Sequence, residues 1–176
     1  MFLSLVEWQA EGAAAGPLAP MPVLAQIPQP HIVRHYRTEG VAEDRLIWSK
    51  YVSLPHIANE PQARVTLLRQ TQEVGQSEGQ HTPFVYLVHT DIEPELLDEY
   101  NAWYGEEHLP RLVKVPGILR ARRFTAVAGA PMFLTAYDLT DRNAFESPEG
   151  LIARKTPWTE RMRSQFKNTR RIMCIL

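Results

Sequence analysis

Residues 103–112 read WYGEEHLPRL, which places two aromatics, two carboxylates, a histidine and an arginine within ten positions, just ahead of a Pro116-Gly117 turn. An imidazole titrates near neutrality, and a carboxylate beside it can share the work of moving a proton. Whether this cluster does chemistry depends on which side chains face inward. At about 100° per residue, Leu96, Tyr100, Trp103 and Glu107 share one narrow helical stripe, and Leu97, Tyr104 and His108 share the adjoining one. Asp98, Ala102, Gly105 and Glu106 lie opposite, so Glu106 is expected in solvent while Glu107 and His108 point where the aromatics point.

A carboxylate on an apolar face is costly unless it is paired, and desolvation raises its pKa toward the range useful for general acid–base catalysis. Two readings follow. In one, His108 and Glu107 border a small-molecule cleft, with Tyr100 or Tyr104 orienting the ligand. In the other, Glu107 pairs with Arg120 or Arg122 on the following strand, His108 closes a helix against its dipole, and the aromatics are core. The run RARR, residues 120–123, poses the same choice. On a strand, Arg120 and Arg122 share one face and Arg123 takes the other, suited either to gripping an anionic ligand or to neutralising neighbouring carboxylates. His89, at the end of the strand before the helix, is a further candidate for the same cleft.

The elements that must position these residues can be read from the apolar periods. PFVYLVHTDI is a strand, followed by a helix over EPELLDEYNAWYGEEHLPRLVKV with Asp91 or Thr90 as its cap and Pro94 in its first turn. PGILRARRFTAVA and PMFLTAYDLT are strands joined by a tight hairpin at Gly129 and Pro131. A helical region opens at Asp141, interrupted by SPEG, and KNTRRIMCIL closes as a strand. The order is βαββαβ, the ferredoxin-like split βαβ. Ahead of it, residues 1–80 form a β-rich half: an opening strand over 1–9, a hairpin over 31–54 and a strand over 64–74. EGAAAGPLAPMPVLAQIPQP carries five of the fourteen prolines and reads as an extended surface connection. GQSEGQHTP, residues 75–83, reads as a linker between the halves.

Composition narrows the function classes. A chain of 176 residues, 44% apolar and 22% charged, suits one or two small globular domains that need no disulfide or metal staple. A net charge of −1 gives no footprint for nucleic acid. The single cysteine, Cys174, lies in an apolar run and reads as a buried structural thiol. The apolar start MFLSLVEWQ has no basic flank and is too short for a signal peptide or a membrane span, so a cytoplasmic protein is expected. There is no HExxH, glycine-rich phosphate loop, GxSxG elbow or dinucleotide fingerprint, so neither a metal nor a cofactor is expected.

The run YNAWYGEEHLPRLVKVPGILRARRF, followed by PMFLTAYDLTD, resembles the dimeric α+β barrel superfamily and, within it, the EthD-like small barrel families. Their pattern N-x-W-Y-x-x-x-H-x-P, then V-P-G, then A-x-R is matched by Asn101, Trp103, Tyr104, His108, Pro110, Val115, Pro116, Gly117, Ala121 and Arg123. The resemblance covers residues 83–176. It implies a ferredoxin-like unit whose open sheet pairs with a second copy, and a ligand held between sheet and helices, often beside a histidine. Residues 1–80 are an addition to that unit. A degenerate repeat there would close the barrel within one chain, making it an intrachain pseudo-dimer; otherwise a homodimer is expected.

Two functional readings result. The first is a small-molecule-binding α+β barrel protein acting as a cofactor-independent lyase, isomerase or oxygenase. His108 is then the acid/base with Glu107, and Tyr100, Tyr104, Arg123 and His89 contact the ligand. The second is a non-catalytic binding or assembly protein whose polar cluster is structural.

Overall fold

The computed structural model describes residues 2–9, 32–38, 44–51 and 63–175. These form eight strands: β1 Phe2–Gln9, β2 Ile32–Thr38, β3 Asp44–Tyr51, β4 Ala63–Gly75, β5 Phe84–Asp91, β6 Ile118–Ala128, β7 Phe133–Leu139 and β8 Lys167–Ile175. Hydrogen-bonded neighbours run β1-β3-β2-β8-β5-β7-β6-β4, all antiparallel, and β4 returns to β1, so the sheet closes into a barrel. Within the second half, the order β8-β5-β7-β6 is that of a βαββαβ unit, each helix crossing over an intervening strand. The protein is therefore α+β and ferredoxin-like over its second half. The proline-rich connection, the turn of the first hairpin and the link from β3 to β4 lie outside the described residues.

Alternation along the strands sorts side chains to two cores. Val85 and Leu87 of β5 turn into the barrel with Leu68, Phe124, Leu134 and Cys174. Their neighbours Tyr86 and Val88 turn outward beneath the helices, against a second core built on Tyr100, Trp103, Tyr104, Leu109 and Tyr137. In β4 the buried side chains are Thr66 and Leu68, while Leu67 and Arg69 face out.

The long helix, α1, spans residues 94–112 and changes pitch along its length. A 3₁₀ turn over Pro94–Leu96 leads into α-helix at Leu97–Ala102, π-helix at Trp103–His108 and α-helix again at Leu109–Leu112. Neither Thr90 nor Asp91 caps it; the N-cap position falls to Glu93, which makes no side-chain capping bond. Asp91 instead accepts from the Met132 amide at 2.6 Å and from Asn168 Nδ2 at 2.7 Å, holding the β6–β7 hairpin to the start of β8. The helix ends at the expected turn, where Gly117 takes φ +92°, a region that L side chains rarely enter.

Two short helices complete the layer. SPEG both breaks the helical region, after a 3₁₀ turn at Ala144–Glu146, and starts the next helix. The Ser147 hydroxyl accepts from the Gly150 amide at 3.0 Å, and Pro148 occupies the first turn of α2, Pro148–Arg154. Thr156 caps α3, Pro157–Ser164, by accepting from the Thr159 amide at 3.0 Å. Arg111 of α1 donates to the carbonyls of Ile152 and Ala153. Glu99 accepts from Trp158 Nε1 at 3.1 Å and from Arg161, so α1 is clasped at both ends.

The segment GQSEGQHTP is pinned rather than free. Gly75 adopts φ +80°, and a Cβ there would meet the Leu119 carbonyl at 2.2 Å. Gln76 donates its amide to that carbonyl at 3.0 Å, and Ser77 donates to Asp138 at 2.7 Å. Polar and glycine-bearing composition read as a linker, and the partners that fix the segment lie on β6 and β7. No helix among the described residues is long and apolar enough to cross a membrane.

Candidate functional site

Between the outer face of the sheet and the helices lies a small cleft, about 40 Å³ within its walls and open to solvent at its mouth. Helix α1 contributes Trp103, Tyr104 and His108, all from its π-helical segment. The wider turn of a π-helix brings these three large rings to one side. The sheet contributes Tyr86 and Val88 from β5 and Tyr137 from β7; Phe145 and Phe166 lie on the helical side. Arg154, Arg163 and Arg171 complete the lining.

His108 is 8% exposed and held between rings. It stacks on Trp103 at 4.2 Å and 29°, and meets Tyr104 edge-on at 5.2 Å. Its Nδ1 is buried with no hydrogen-bond partner. Burial pushes its pKa down to about 3, helped by the positive charges of Arg163, Arg123 and Arg154. The imidazole is thus neutral across the physiological range, with a nitrogen not committed to the protein.

Glu107 points elsewhere. It does not line the cleft and does not reach Arg120 or Arg122. Its Oε1 accepts from Thr156 Oγ1 at 2.5 Å and from Thr159 Oγ1 at 3.4 Å. Thr159 Oγ1 in turn accepts from Trp103 Nε1 at 3.1 Å. Glu107 therefore sits behind Trp103, tying the ring that His108 stacks on to the first turn of α3. The uniform helical wheel placed Glu107 and Trp103 on one stripe, and it is the partner, two threonines some fifty residues on, that sequence spacing could not supply. Glu106 is exposed.

The arginines divide by face as strand alternation requires. Arg122 pairs with Asp138, buried inside the barrel, and Arg120 pairs with Glu73 at 2.8 Å. Arg123 turns to the helices, its guanidinium 4.0 Å from the centre of the Tyr104 ring and 4.8 Å from that of Tyr100. It donates to Asn101 Oδ1 at 3.0 Å and Gln72 Oε1 at 3.4 Å. Arg123 thus backs Tyr104 from beneath without lining the cleft. Thr135 donates to the Tyr104 hydroxyl at 3.1 Å, fixing that ring from the sheet side.

Tyr100 is fully buried in the aromatic core, where burial raises its hydroxyl pKa well above the ordinary value, and it does not line the cleft. His89 is separated from the cleft by the sheet: it pairs in register with Leu134 and Arg170 and is buried among inward-facing neighbours. Its place follows from parity, since Tyr86 and Val88 are the residues of β5 that reach the helices. Of the six candidates, the structure brings only His108 and Tyr104 to the cleft wall. Sequence reasoning passed over the charged residues of the lining, Arg154, Arg163 and Arg171, and its apolar part, formed by Tyr86, Val88, Tyr137, Phe145 and Phe166. Among the described residues, no group of three or more His, Cys, Asp or Glu could hold a metal ion.

No protein-family model and no curated protein matches this sequence. Solved structures do match, across nearly the whole chain. A heme-degrading enzyme from Listeria monocytogenes aligns at 10% identity over 99% of both chains, with a TM-score of 0.63. A ferredoxin-fold protein from the same organism, related to antibiotic-biosynthesis monooxygenases, aligns at 12% identity over 99% of this chain and 94% of its own, with a TM-score of 0.62. An anthrone oxidase-like protein aligns at 11% identity over 99% and 90%, also with a TM-score of 0.62. At such identities the likeness is one of fold, and that fold is the ferredoxin-like α+β barrel.

Proposed function

We propose that this protein binds a small organic molecule in the cleft between α1 and the sheet and catalyses a proton transfer on it, with His108 as acid/base. The observation that carries this reading is a neutral histidine, almost fully buried, whose Nδ1 has no partner and whose ring walls an aromatic cleft. A buried nitrogen without a hydrogen bond costs free energy that a structural role does not explain and a ligand would offset. With its pKa near 3, His108 is a weak base in the free protein. Negative charge developing on a bound ligand would strengthen it at the moment of proton transfer. Tyr104, held by Thr135 and Arg123, sets the position of the ligand, and Glu107 acts through Thr159 on Trp103 as a positioning residue.

The chemistry suits a cofactor-independent isomerase, lyase or oxygenase that begins by removing a proton made acidic by conjugation. The resemblance of residues 83–176 to EthD-like families, and solved neighbours named for oxidation and heme breakdown, support a small, flat ligand. The order β4-β1-β3-β2 repeats the order β8-β5-β7-β6, which supports residues 1–80 as a degenerate copy of the unit in 83–176. The chain then supplies its own partner half.

A second reading, a binding protein without turnover, is favoured by the structural engagement of Glu107 and Arg123. A thermal-shift screen of small aromatic and conjugated compounds, followed by turnover assays on each compound that raises the melting point, separates the two. His108→Ala is expected to lower turnover at least a hundredfold while the ligand-induced shift persists. Turnover that survives the substitution would overturn the acid/base role.

A further inference from the structure

Arg163, near the end of α3, and Arg171, on β8, both line the cleft. Arg171 stands directly across from Val88 in the β5–β8 register, on the outward face of the sheet. Neither forms a hydrogen bond or ion pair with any described residue, whereas Arg154 is occupied by the carbonyls of Phe145 and Gly150 and by Glu146. No aspartate or glutamate lines the cleft, although acids outnumber bases by 20 to 19 in the chain. The field at both walls is positive on balance: Arg171, Arg154 and Arg163 act on Tyr86 against the single opposing carboxylate of Glu146, which Arg154 pairs, and Arg163, Arg123 and Arg154 act on His108. Two uncompensated guanidinium groups at an aromatic cleft form a site for a ring that carries an anion.

We infer that the ligand is an aromatic carboxylate, its ring laid against the half-buried Tyr86, Val88 and Phe166 at the mouth of the cleft and its carboxylate bound by Arg163 and Arg171. The inference rests on the cleft being the ligand site, as proposed above, and adds the class of molecule. Guanidinium and carboxylate match in geometry and charge, and two guanidinium groups at one mouth can grip both carboxylate oxygens. Arg123 is excluded from this task by its contacts with Asn101 and Gln72, and Arg122 by Asp138 and by facing the barrel interior.

The test uses the full chain and two probes of nearly equal shape, 2-naphthoate and 2-naphthalenemethanol, titrated by calorimetry at low salt. Wild type is expected to bind the acid about tenfold more tightly than the alcohol, the size expected of a charge-assisted pair. In Arg163→Gln/Arg171→Gln that preference is expected to vanish through loss of the acid's affinity, with the alcohol bound as before. Both arginines are exposed, and far-UV circular dichroism verifies that the variant is folded. Equal affinities in wild type, or a preference that survives the double substitution, would overturn the arginine clamp and leave the cleft as a ligand site. Failure of both probes to bind wild type would overturn the clamp and count against the cleft itself.

Discussion

His108 stays uncharged where a solvent-exposed histidine would take up a proton, and that difference is a statement about stability. Its pKa is lowered to about 3 in the folded protein from the ordinary histidine value of 6.5, so on acidification the unfolded chain binds a proton that the native state refuses. Stability contributed by the neutral ring is complete above pH 6.5 and is lost as the pH falls below it, at up to about 1.4 kcal/mol per unit. Chemical denaturation between pH 7 and 4.5 should therefore show wild type losing stability more steeply than His108→Gln. Parallel curves would mean that the imidazole is not desolvated as described. That this histidine faces inward was readable from its spacing to Leu97 and Tyr104. That Arg163 and Arg171 belong with it was not, because an arginine near the end of a short polar helix and another on a strand with Arg170 look the same as solvated charge. Only the fold brings α3 and β8 to the mouth of one cleft.

The helices show how much of the site is set by connections between elements. Thr156 serves two partners, accepting from the Thr159 amide and donating to Glu107. Thr156→Ala removes a cap and a hydrogen bond to a carboxylate together, and should cost about 2 kcal/mol in equilibrium unfolding. Thr156→Ser should restore most of it. Glu107→Gln keeps an acceptor oxygen for the two threonines, so it should leave turnover within about threefold of wild type if Glu107 only positions Trp103, whereas an acid/base role would cost on the order of a hundredfold or more. Amphipathic spacing and prolines gave away the extent of α1, but not its change of pitch. A mid-helix glycine, Gly105, is the sole local hint of the π-helical turns, and the wheel drawn at a constant angle reached the right inward face despite them. The caps fared differently: SPEG contains the cap serine and first-turn proline of a new helix, and it was the proline that suggested a break.

At the level of the barrel, the seams differ in extent. Among the described residues, the second half joins the first along β4–β6 over eight register pairs and along β2–β8 over two, Arg37 with Ile175 and Thr38 with Cys174. Native-state hydrogen exchange should find the β2–β8 amides opening well before those of β4–β6; equal protection would contradict a short seam. The βαββαβ order of the second half was readable because each element has a distinct period and the Pro116-Gly117 turn separates two of them. Closure within one chain was expected only as one of two outcomes, the other being a homodimer, and the register along the seams was not legible at all, since it depends on backbone geometry that no local pattern encodes. Because both halves of the ring are carried on one backbone, its wall cannot be diluted apart. A barrel assembled from two chains loses its site below the dissociation constant of the pair, whereas here each half meets the other at the effective concentration fixed by the tether. Activity per molecule should accordingly be the same at nanomolar as at micromolar protein, which lets the site persist even where very few copies are made.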